Sequence, residues 1–134
     1  MKKLLTFFVV IAGLSMAAAP LLAHHGHGTI FEPVKENTLK GTISQVNWRN
    51  PHVLIFMDVK GEDGKVVTWS FEQSGTSNLA QAGYNRNTVR VGQEVIAVFK
   101  PARNGQPVGD LIKFMSADGK TIMSHVGGGD NPLD

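Results

Sequence analysis

The chain has 134 residues, with 13 Lys or Arg against 11 Asp or Glu and no cysteine. Its formal charge of +2 resides in Lys2 and Lys3, so the remainder is neutral and lacks the basic footprint that nucleic-acid binding or an anionic membrane surface would need. The absence of cysteine excludes a disulfide framework and a lipid-anchoring thiol, leaving stability to a packed core.

An export signal opens the chain. Lys2-Lys3 form a basic start, Leu4 to Met16 an apolar run, and small residues follow. A cut after Ala19 would leave Pro20 just past the bond, whereas Leu21-Leu22-Ala23 puts a small residue at it, so cleavage is expected after Ala23. An uncleaved anchor competes, since about 20 apolar residues can span a bilayer, but Pro20 and the alanine cluster argue against it. Removing 23 of the 134 residues leaves 111, the size of one domain. The product is expected to be a soluble periplasmic or secreted protein with no stable membrane anchor. It begins His24-His25-Gly26-His27.

Residues 24–37, interrupted by Pro33, read as a histidine-containing arm, and residues 38–126 as the folded domain. In the first strand Leu39, Gly41 and Ile43 alternate with polar residues, then the apolar set moves to Val46 and Trp48. That change of parity predicts a β-bulge near Ser44-Gln45. Asn50-Pro51 breaks pairing. Val53 to Lys60 and Val66 to Glu72 follow as strands joined by a turn at Glu62-Asp63-Gly64, placing Val53, Ile55, Met57, Val59, Val67, Trp69 and Phe71 inward. A short helix from Ser77 to Gly83 is expected next, capped by Thr76 or Ser77 and stopped by Gly83. Glu94 to Lys100 and Leu111 to Ser116 are the next strands, and Thr121 to Met123 can return as an edge strand. Residues 127–134 have the composition of a disordered tail.

Three strands with a bulged first member, one helix and two or more strands give an all-β fold. Their order is that of an oligonucleotide/oligosaccharide-binding (OB) barrel, an antiparallel barrel of five or six strands with one short helix. A half-open β-sandwich is the competing architecture. Neither fold assigns an activity.

Four pieces of the chain resemble an exported bacterial family known only as domain of unknown function 6152. They are His24-His25 after the export signal, Trp48-Arg49-Asn50-Pro51-His52, Trp69-Ser70-Phe71-Glu72, and Leu79-Ala80-Gln81-Ala82-Gly83-Tyr84. The most specific element is Asn-Pro-His opening a strand, followed by Trp-x-x-Glu ending the next. The family's pattern has His-His-Ser-Phe at the mature start and often Trp at the position of Tyr84. Here Gly26-His27-Gly28 follows His25, which adds a ligand and removes an aromatic. The resemblance implies no activity.

Two constellations could carry chemistry. At the mature terminus, His24 offers an α-amine and an imidazole Nδ1 that close a six-membered chelate, which His25 or His27 can complete. Nitrogen donors favour Cu(II), with Zn(II) second. The competing reading is a solvated histidine tail that binds metal weakly. The second constellation follows from hairpin register: a three-residue turn pairs Asp58 with Thr68, Phe56 with Ser70 and Leu54 with Glu72. His52 then falls on the same outer face, diagonal to Glu72 and ~7–8 Å away between Cα atoms. Leu54 and Phe56 are apolar on that outward face and call for a cover: the arm around Phe31, the C-terminal segment or a partner. Trp48, Asn50, His52, Leu54, Phe56 and Glu72 therefore make up a candidate ligand or partner face, with Trp48 as a stacking aromatic. Alternatively, Asn50-Pro51-His52 is only a turn, and Glu72 is solvated or paired with Arg49.

No nucleophile elbow, phosphate loop or His-Glu-x-x-His motif occurs, so no catalytic residue is assigned. The leading expectation is a non-enzymatic exported protein that holds a transition metal, copper first, at His24, His25 and His27. The alternative is a metal-free adaptor binding another envelope protein or an oligosaccharide through the Trp48/His52/Glu72 face. A third reading is a copper redox enzyme with a His24 brace, whose second imidazole would be His52 or His125.

Overall fold

The computed structural model describes residues 30–127. The export signal and its cleavage point, the His24, His25 and His27 cluster, and the tail from residue 128 lie outside the described residues. The elements are β1 (Asn37–Asn47), β2 (Val53–Lys60), β3 (Val66–Gln73), helix α1 (Thr76–Gln81), β4 (Glu94–Pro101), β5 (Val108–Met115) and β6 (Thr121–Ser124).

β1 pairs antiparallel with β2 on one side and β4 on the other. β2 continues to β3 and β4 to β5, and a short parallel pairing of Ser70 with Val108 and Phe71 with Gly109 joins β3 to β5. The circuit β1-β2-β3-β5-β4 is therefore closed, a five-stranded barrel in OB order, and the sandwich alternative is excluded. The second half of β5 has no β3 beside it. There β6 takes the free edge, pairing from Lys113 to Met115. Just past β6, the Val126 N–H donates to Gln73 Oε1 at 3.2 Å, fastening the extra strand to the end of β3.

The expected bulge is present. Register shifts between Ile43 and Gln45, after which Val46 opposes Ile55 and Asn47 opposes Leu54. Ile43 before the bulge and Val46 after it thus both face the barrel interior. The extra residue bends β1 enough for it to pair with β2 along one half and β4 along the other.

Phe71, Phe99 and Phe114 fill the centre in edge-to-face contacts, Phe71 lying 5.2 Å from Phe99 and 5.4 Å from Phe114 between ring centroids. Ile43, Val53, Ile55, Met57, Leu79, Leu111 and Met123 are among the other buried side chains packed around them. Each such side chain contributes about 1.5–3 kcal/mol on burial.

Two expectations about the core need correction. Val67 has inward parity but is 47% exposed, because β3 meets β5 only at Ser70 and Phe71 and the hairpin tip projects past the barrel wall. Val59 opposite it is only partly buried for the same reason. Trp69 faces inward but sits at the rim, its ring 4.8 Å from Phe99, and lines a shallow cavity of about 330 Å³ with Glu32, Lys35 and Gln106.

Helix α1 begins at Thr76, one residue before the expected start, and its N-cap is Gly75, which makes no side-chain cap bond. Its end is as expected. Gly83 adopts φ +87°, its N–H donates to Ala80 O and that of Tyr84 to Leu79 O, a Schellman closure.

Candidate functional site

The loop between β1 and β2 is held by one side chain. Asn50 Oδ1 accepts hydrogen bonds from the Thr76 N–H at 2.9 Å and the Thr76 hydroxyl at 2.8 Å. It thereby supplies from across the chain the cap acceptor that Gly75 lacks. Gly75 is required there, since a Cβ would lie 2.8 Å from Pro51 O. The Val53 N–H then donates to Ser74 O and starts β2. His52 sits between these two anchors, so its backbone is fixed on both sides. Asn50 itself is occupied with the helix rather than directed at a ligand.

The β2–β3 register is the one expected, with Leu54 opposite Glu72, Phe56 opposite Ser70 and Asp58 opposite Thr68. It brings His52 and Glu72 together on the outer face, with Nδ1 2.6 Å from Oε1 and both side chains about half exposed. A carboxylate only accepts, so the shared proton is the one on Nδ1. In the neutral imidazole, Nε2 then carries the free lone pair.

Leu54 and Phe56 continue the row along β2 from His52 and are only partly exposed, while the alternate positions Val53, Ile55 and Met57 are buried. Gln45 and Asn47 flank them on β1, bonded to each other at 2.6 Å. The arm around Phe31 runs elsewhere. Phe31 bridges to Ala102, and the Ile30 and Phe31 carbonyls accept from the Arg103 N–H and Nε–H. This anchors the arm on the loop between β4 and β5.

Trp48 is not brought to this face. Beyond the bulge it has the parity of Val46, packs partly on the core and lines an open depression of about 450 Å³ with Val89, Val91, Arg86 and Arg90. The two arginines were not singled out in the sequence, although their spacing of four beside apolar valines was available as a signal. Arg90 Nε–H donates to Asn87 O, which steadies this rim.

His125 lies on another edge, its Nδ1 4.0 Å from Asp110 Oδ1. At the tip of the β5–β6 hairpin, the Ser116 hydroxyl and the Lys120 N–H hold the Asp118 carboxyl below its usual range. That turn is structural. Among the described residues no group of three or more His, Asp or Glu side chains is placed to hold a metal. The barrel face by itself offers two donors, His52 and Glu72.

No curated protein and no solved structure matches the chain. A family model does match, over residues 11–111, taking in β1 to β4, helix α1, the Asn-Pro-His loop and Glu72. The chain belongs to that family, a family of unknown function (DUF6152).

Proposed function

We propose that the mature protein is an exported, non-enzymatic holder of a transition metal, Cu(II) before Zn(II), for buffering or handover. The observation that carries this reading is the run His24-His25-Gly26-His27 directly after the expected cleavage point. The amine and imidazole of His24 belong to one residue, so their chelate ring closes at little entropic cost, and nitrogen donors rank copper above the other divalent metals. The barrel supports the reading by its tether. The arm is hydrogen-bonded at Ile30 and Phe31, which leaves only five residues, 25–29, between His24 and a fixed point on the domain.

The test is titration of untagged mature protein with Cu(II), after intact-mass measurement of the exported form. Mass is expected to correspond to a start at His24, with one equivalent bound. One residue added ahead of His24 removes the free amine from the chelate and is expected to weaken binding by about tenfold or more. Protons compete for the same lone pairs, so binding is expected to fall as the solution is acidified. Equal affinity in native and extended forms, or an exported chain still starting at Met1, overturns the reading.

The adaptor reading has one observation in its favour, the apolar Leu54 and Phe56 on the outward face. If the mature chain takes up no stoichiometric metal, that face becomes the leading candidate for binding an envelope protein or an oligosaccharide.

A further inference from the structure

We propose that two copies of the chain pair through the open edge of β3, strand against antiparallel strand, about a twofold axis at Val67. The inference is independent of the metal-holding reading above.

The β2–β3 hairpin determines which backbone groups are free. The Gly61 N–H donates to Lys65 O, so this is a hydrogen-bonded pair. Such pairs alternate along an antiparallel ladder, which makes Val59–Val67 and Met57–Trp69 hydrogen-bonded as well. The N–H and C=O groups of Val66, Thr68 and Ser70 therefore point away from β2. Ser70 bears this parity out, since its N–H donates to Pro107 O on the side of β5. β5 pairs with β3 only at Ser70 and Phe71. Val66 and Thr68 are left with two N–H and two C=O groups directed outward, and among the described residues none of the four has a hydrogen-bond partner.

Nothing on the strand guards this edge. Edge strands are commonly blunted by a proline, a bulge or a charge, and Val66 to Phe71 carries none of these. Val66 and Val67 are instead apolar, β-branched and 58% and 47% exposed. An edge of this kind accepts another strand.

The occupant is a second copy because the edge is complementary to itself. With Val67 opposite Val67 of the second copy, Val66 of each copy faces Thr68 of the other in a hydrogen-bonded pair, and all the free groups of both edges are used. The two Val67 side chains meet at the non-hydrogen-bonded position, where facing residues come closest. Lys65 falls opposite Trp69 and can lay its aliphatic stem along the indole. The lengths agree as well. Gly64, at φ +79°, turns the hairpin back toward β2, so the incoming strand ends where β5 takes over the edge at Ser70. A twofold axis at Thr68 would instead need the Ser70 N–H, which Pro107 O already holds. Because each copy uses the same patch, the assembly closes at two. The contact runs only from Lys65 to Trp69, far fewer than the roughly 20–30 residues a side of a standard interface, so the dimer is a weak one with a Kd on the order of 100 μM.

The experiment is sedimentation velocity and NMR on the purified protein from about 5 to about 500 μM. The native chain is expected to shift from monomer to dimer across this range. The amide signals of Val66 and Thr68 should move with concentration, and those of Val91 should not. Val67→Lys sets like charges face to face on the axis and is expected to weaken association by about tenfold or more. Val67→Glu should do the same, and mixing the two variants should restore a dimer, a result that misfolding of either one would not produce. Val91→Lys, an exposed valine on another surface, should leave association unchanged. A native chain that stays monomeric throughout overturns the proposal. So does association that survives Val67→Lys, since the contact then lies elsewhere, as does concentration dependence centred on Leu54 and Phe56. Species larger than a dimer rule out the closed twofold pairing, and failure of the mixed variants to associate rules out the register at Val67.

Discussion

Asn50 does the work of two residues. Its Oδ1 accepts both the N–H and the hydroxyl of Thr76, so a side chain in the β1–β2 loop caps a helix 26 positions later. Sequence reading places Asn-Pro as a strand breaker but has no means of naming that distant partner. Asn50→Ala leaves the first helical N–H without its acceptor and is expected to cost about 1–2 kcal/mol in urea unfolding. Asn50→Asp keeps an acceptor near a helix N-terminus and is expected to recover most of it. Equal loss in both variants would mean that the amide NH2, not Oδ1, matters. Trp48 shows the same limit. Parity past the bulge assigns it to the side of Val46, yet its position beside Arg86 and Arg90 depends on the long connection from α1 to β4, which has no periodicity to read.

At the level of elements, the β2–β3 hairpin was the most legible part of the chain. A three-residue turn sets register locally, with the Gly61 N–H donating to Lys65 O, and every pair down to Val53–Gln73 follows from it. That is why the His52–Glu72 contact could be expected from residue numbers alone. Parity says which face a side chain takes but not how far the barrel extends, and so Val67 turned out exposed. The edge strand β6 depends on contacts that parity does not reveal. Tyr84, placed by the Schellman turn, accepts the Ser124 N–H at its hydroxyl at 3.0 Å, and Gln73, 1% exposed, accepts that of Val126. Tyr84→Phe removes one of these two fasteners. Hydrogen exchange at Ser124 is expected to accelerate while β1 and β4 amides keep their protection, with a stability loss of about 1 kcal/mol. Unchanged exchange at Ser124 would show that pairing with β5 alone holds the strand.

For the whole molecule, closure hangs on a junction of two residue pairs. The order of strands and helix suggested a barrel, but the parallel contact of β3 with β5 joins segments about 38 residues apart and carries no local pattern of its own. What makes it possible is Gly109. Opposite Phe71 and against Phe99, a Cβ at that position would lie 2.7 Å from Phe71 Cε1 and 2.5 Å from Phe99 Cδ2. The glycine lets the backbone of β5 approach the ring cluster closely enough to pair with β3. Gly109→Ala must therefore either displace buried rings or open the seam. The expected cost is about 1–3 kcal/mol by urea unfolding, the usual range for overpacking a filled core. The two outcomes differ in a second measurement. If rings move, Phe99→Leu in the same chain restores part of the loss, since it frees volume at the clash. If the seam opens, the double variant stays as unstable as the single one, and the amides of Ser70 and Val108 exchange faster. A native unfolding midpoint for Gly109→Ala would mean that the rings yield without cost and that the barrel tolerates a side chain at its closure.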